Sequence, residues 1–113
     1  MTAGLRTVRH DETFTADEND ILRDTDLRQA PGFGAVSIWA ASTVSDSLIS
    51  VRIAGQALAT RIIIPNRGAN APINENQEAP IVLVPTRPGD QLNVDLTVVT
   101  AATIRITVIW AGR

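Results

Sequence analysis

His10 is the only histidine of the chain and stands among charged neighbours, in Arg9-His10-Asp11-Glu12-Thr13. Such company could form a base–acid pair or begin a metal site. On an extended strand, neighbours point to opposite faces, so His10 would converge with Glu12 and not with Asp11. Two groups make neither a zinc site nor a catalytic triad, and a solvated residue on an N-terminal arm is the simpler reading. A second acidic stretch, DENDILRDTD, carries Asp17, Glu18, Asp20, Asp24 and Asp26. A calcium loop of EF-hand type needs oxygen ligands at its first, third and fifth positions, then a glycine. Counted from Asp17, the loop meets Asn19 and then the apolar Ile21 and Leu22, so the motif fails. A solvated acidic loop is the default, with a nonstandard calcium site as the alternative.

No nucleophile elbow, phosphate-cradling glycine loop or dinucleotide fingerprint is present. A hydrolase built on the Asp17–Asp26 carboxylates would lack a basic or aromatic partner nearby. The chain has two tryptophans, two phenylalanines and no tyrosine. Trp110 reads as core, which leaves Trp39 alone for stacking and makes a poor carbohydrate platform. Enzyme is therefore the least supported class, and no catalytic residue, cofactor or metal is assigned.

The 113 residues fit one domain. A chain of this size buries roughly two-thirds of its unfolded surface, enough for one core. Cysteine is absent, which excludes disulfides and thiolate sites. The net charge is −2, and all ten basic residues are arginines spread from Arg6 to Arg113. That spread gives no electrostatic footprint for nucleic acid. MTAGLRTVRHDETFT has no apolar signal-peptide core, and no apolar run nears the ~20 residues of a membrane helix. A soluble protein without a membrane partner is expected.

The elements that would position any site read as strands. In QLNVDLTVVTAATIRITVIW, Leu92, Val94, Leu96 and Val98 share one face, and Ile104, Ile106, Val108 and Trp110 repeat the alternation. These two runs predict a hairpin in which Val98 pairs with Ile104, Leu96 with Ile106 and Leu92 with Trp110. The loop would be odd in length, at Thr100-Ala101-Ala102, with Thr97 opposite Arg105 on the solvent face. SLISVRIAG alternates Ile49, Val51 and Ile53 against Ser50 and Arg52, and GAVSIWAAST alternates Val36, Ile38 and Ala40 against Ser37 and Trp39. Pro31-Gly32, Pro65-Asn66-Arg67-Gly68 and Pro85 to Asp90 punctuate them with turn chemistry. Six short strands so punctuated predict an all-β fold, a single antiparallel β-sandwich over residues 21–113 preceded by an extended N-terminal arm over 1–20. Within the arm, TVRHDETFTA could be a strand with Val8 and Phe14 on one side, though its apolar content is thin, and residues 18–29 fit a strand, a helical turn or a loop.

Two runs, Ile62-Ile63-Ile64 and Ile81-Val82-Leu83-Val84, are apolar at every position and stop at Pro65 and Pro85. A sandwich strand has one core face and one solvent face. The second face of these runs, and Trp39, therefore need a cover: a loop of the same chain, a ligand, or another subunit. The linker NRGANAPINENQE is polar and long enough for one strand but hardly for both, so self-association is favoured.

GFGAVSIWAAST leading to SLISVRIAG, followed by PTRPGDQLNVDLTVVTAATIRITVIWAG, resembles the small β-sandwich capsid decoration, or cement, proteins of tailed bacteriophages. The resemblance covers residues 32–112 and implies a jelly-roll-like protomer, a homotrimer on the outer surface of a virion, and the major capsid protein as partner. It implies a clamp made by the terminal arm, a role for Leu5, Val8 and Phe14. Trp39, Ile62, Ile64, Val82 and Val84 are the expected subunit interface. The alternative is a ligand- or glycan-binding sandwich of a virion or cell surface, with its pocket near Trp39.

Overall fold

The computed structural model describes residues 4–68, 73 and 78–112. Seven strands follow one another: β1 (Leu5–Phe14), β2 (Gly34–Ser42), β3 (Leu48–Ile53), β4 (Gln56–Ile63), β5 (Val82–Thr86), β6 (Leu92–Thr97) and β7 (Ala102–Gly112). They form two antiparallel sheets, β1-β7-β2-β5 and β4-β3-β6, packed as a β-sandwich. The all-β expectation holds. The pairings are nested: β3 with β4, β2 with β5, and β1 with β7. Residues 18–29 run along β6 without becoming a strand, held to it by Glu18 opposite Leu96 and Gln29 opposite Gln91.

Alternation explains which residues meet in the middle. Val36, Ile38 and Ala40 of β2 and Ile104, Ile106 and Val108 of β7 form one wall of the core. Ile49, Val51, Leu92, Val94 and Leu96 of β3 and β6 form the other. Leu22 and Leu27, from the irregular segment, are completely buried and close one side. Each Val, Leu or Ile side chain so buried stabilises the fold by roughly 1.5–3 kcal/mol relative to exposure.

The predicted β6–β7 hairpin does not form. Among the described strands β6 pairs with β3, while β7 lies between β1 and β2 in the other sheet. Residues 98–101 arch from one layer to the other, and the Asp17 carboxylate accepts the Val98 N–H at 2.7 Å to fix that crossing. Two alternating strands can bring their apolar faces together across the sandwich as readily as side by side in one sheet. Thr97 consequently sits beside Leu48, and Arg105 lies between Asp11 and Ala41.

Two local devices hold the strands of the four-stranded sheet together. Gly34 of β2 lies so close to β7 that a Cβ there would stand 2.2 Å from the Ala111 carbonyl oxygen. The buried Trp110 indole N–H donates to Thr86 Oγ1 at 3.0 Å, and that hydroxyl donates to the Gly32 carbonyl. Ala54 and Gly55 join β3 to β4 with φ of 52° and 81°. Positive φ at both central residues is the geometry of a two-residue type I′ turn, which suits asparagine or glycine and strains alanine.

Thr86→Val keeps the volume and deletes the acceptor of a buried donor, so urea unfolding should show a loss of about 1–3 kcal/mol. Ala54→Asn should raise stability in the same assay by up to about 1 kcal/mol.

Candidate interaction surface

β4 and β5 are the terminal strands of their sheets, and their edges adjoin. A groove of about 420 Å³ lined by Ile53, Gln56, Leu58, Val84, Pro85 and Arg87 runs between them. Apolar side chains crowd both edges. Ile63 is 65% exposed and Leu83 64%, with Leu58 and Ile62 more than two-fifths exposed.

The expected interface residues divide here. Ile62 sits on the rim, and Val84 is half-buried against the core. Ile64 and Val82 belong to the core of the protomer itself, so they present no surface to a partner. The cause is register. Val82 lies opposite Ile38, Val84 opposite Val36 and Ile62 opposite Ile49, which puts this set on the inward side. The residues between them, Ile63 and Leu83, are the ones turned outward. Alternation within an apolar run gave two faces but no sign for either.

Both edges resist strand addition. β4 carries two irregularities, where Thr60 and Arg61 crowd opposite Ser50 and where Leu58 is an extra residue opposite the step from Val51 to Arg52. Arg61 has a φ of 50°, and its N–H donates to the Ser50 hydroxyl instead of to the ladder. β5 is five residues long and carries Pro85, with Pro80 just before it. Bulges and prolines are the usual means of blunting an edge. The exposed side chains are left as the adhesive part of this face.

Trp39 has a different cover. It lies on the outer face of β2, half-buried, and its indole N–H donates to the Glu78 carbonyl at 2.9 Å. The Glu78 side chain pairs with Arg67, which ties together the two ends of the 66–81 connection. Ile73 of the same connection lies over β1 and β7, beside Arg9, His10 and Arg105. The described parts of the linker, Ile73 and the Glu78 end, thus lie on the four-stranded sheet, and Trp39 is a contact of the Glu78 end. The sequence expectation for the middle of this linker falls on residues 69–72 and 74–77, outside the described residues.

The proposed arm is extended and lies along β7 as β1, with ten residue pairs in unbroken register. Leu5 is exposed, Val8 half-buried and Phe14 in the core. Three acids of the segment serve structure, Asp17 on the Val98 N–H and Glu18 and Asp24 on Arg23, while the Asp20 N–H donates to Asp95 of β6. Among the described residues no group of three or more His, Asp or Glu side chains is placed to hold a metal ion.

Replacing Trp39 by Phe removes the N–H that anchors Glu78. Stability should fall by about 1 kcal/mol, and amide exchange at Ile81, whose N–H donates to the Ile38 carbonyl, should accelerate.

No family model matches this chain, and comparison with curated proteins and with solved structures returns no match.

Proposed function

We propose that this protein is a structural, self-associating component of a virion: a capsid decoration protein that works as a homotrimer on the outer shell and stabilises it by non-covalent contacts with the major capsid protein. The observation that carries this reading is the exposure of four large apolar side chains, Leu58, Ile62, Ile63 and Leu83, on the edge strands β4 and β5. Large apolar side chains left exposed at the edges of a small domain favour association. These strand edges are blunted, so the contact they favour is side chain against side chain, closing a ring of copies. The nested strand pairing also supports a jelly-roll reading. Residues 18–29 take the place beside β6 that an eighth strand would occupy.

The role is associative. Each copy presents polar loops to the shell, and three linked copies bind with the high effective concentration that tethering confers. The weak sequence pattern of Leu5–Phe14 fits a segment with a second task besides packing.

Light scattering over a concentration series should give a mass in multiples of three chains that does not fall below three on dilution. Ile63→Asp and Leu83→Asp should each take that mass below three chains while the circular dichroism spectrum is kept. Val82→Ala and Ile64→Ala should instead cost roughly 1–5 kcal/mol of stability and leave the assembly state intact. A wild-type chain that is monomeric throughout would overturn the trimer. Binding of the wild type, but not of the two aspartate variants, to undecorated capsids tests the shell partner.

A further inference from the structure

The sandwich has four terminal edges, and three are protected. β4 is bulged, β5 is short and proline-bounded, and the outer edge of β6 is occupied by residues 18–29. β1 is the exception. It is ten residues long, free of proline, and paired with β7 without a register shift. Among the described residues no strand pairs with its other side. A long, straight, unprotected edge is a template for another strand.

Backbone polarity fixes what that edge offers. The Gly112 N–H donates to the Gly4 carbonyl at 2.7 Å, so even-numbered residues of β1 exchange bonds with β7. The backbone groups of Leu5, Thr7, Arg9, Asp11 and Thr13 therefore point away from β7.

We infer that β1 pairs antiparallel with β1 of a second copy about a two-fold axis at His10, joining two four-stranded sheets into one. Charge selects both the occupant and the register. With the axis at His10, Arg9 of each copy lies opposite Asp11 of the other, and Thr7 lies opposite Thr13. Both are favourable cross-strand pairs, formed twice. Moving the axis one residue towards the N-terminus opposes Arg9 to Arg9, and moving it the other way opposes Asp11 to Asp11. Either shift sets like charges together. An axis between two residues would set odd residues against even ones and break the match of hydrogen-bonding groups. Asp11 already accepts from Arg105 at 3.2 Å, and a carboxylate has lone pairs for a second guanidinium.

An independent observation fits the same axis. His10 Nε2 is buried and has no hydrogen-bond partner. In the paired edge, His10 stands opposite His10 of the other copy across a non-hydrogen-bonded position, where Cα atoms stand about 4.5 Å apart. A rotation of the side chain that turns Nε2 from the protomer towards the axis lets one imidazole donate to the other and supply the missing partner. This contact is separate from the β4–β5 face, so either can fail without the other.

The chain contains no cysteine, so introduced ones report without background. His10→Cys should form a disulfide-linked pair of chains under mild oxidation, because the separation lies within disulfide reach. Thr7→Cys and Thr13→Cys should each cross-link poorly alone, and at least about tenfold faster when the two variants are mixed. Circular dichroism checks that each variant folds. The pairing is overturned if folded His10→Cys cross-links no faster than Thr7→Cys alone, or if mixing Thr7→Cys with Thr13→Cys brings no acceleration. The mixed experiment keeps His10 in place, so it decides the question even if the His10 variant is perturbed.

Discussion

The pairing of β7 with β2 on one side and β1 on the other is the constraint on which the rest of the sandwich depends. β7 supplies the inward row Ile104, Ile106, Val108 and Trp110, and the β2 row of Val36, Ile38 and Ala40 lies beside it. Their approach requires the missing side chain at Gly34 and is completed by the hydrogen-bonded chain from Trp110 through Thr86 to Gly32. Thr86 belongs to β5, so the same hydroxyl that satisfies the central strand also fastens the edge. A single relay therefore links β7, β5 and the turn before β2.

Once that sheet is set, the second sheet has little freedom. β6 leaves the three-stranded layer through an arch of four residues, and the Asp17 carboxylate holds the start of that arch. Asp17 precedes the irregular segment that runs along β6, and Leu22 and Leu27 of that segment are buried in the core. Residues 18–29 do the packing of a strand without its ladder. Of the acids here that invite a metal or catalytic reading, Asp17 accepts the Val98 N–H and Glu18 and Asp24 pair with Arg23.

Much of the fold was legible from alternation. Val36 to Ala40, Ile49 to Ile53, Leu92 to Leu96 and Ile104 to Trp110 all turn inward as their spacing demands. Alternation fixes a face and says nothing about the neighbour, which is why β6 and β7 read as a hairpin and are in fact opposite layers. In Ile62-Ile63-Ile64 and in Val82-Leu83-Val84 it could not fix even the face, because both faces are apolar. There the register with Ile49, Ile38 and Val36 decides, and register is a property of the partner strand. The bulge at Thr60-Arg61 had no signal in residue type, since neither is a glycine or proline. The strand at Leu5–Phe14 left only a faint signal, Val8 and Phe14 on one side, for another reason: an edge strand buries little, so its outward residues are free to be polar.

The nesting of the strand pairs means that the first strand made must wait for the last. The paired residues of β1 and β7 lie between 88 (Phe14 and Ala102) and 106 (Leu5 and Ala111) positions apart in the chain. Topologies rich in such distant pairings fold slowly, because loop closure precedes any reward. At a synthesis rate of roughly 5–20 residues per second, β1 would stand unpaired for on the order of ten seconds before β7 exists. During that interval the apolar rows of β2 lack their neighbour on one side as well. The arginines, acids and threonines of Leu5–Phe14 then act as a solubilising sequence on a nascent chain, before they act as part of a sheet.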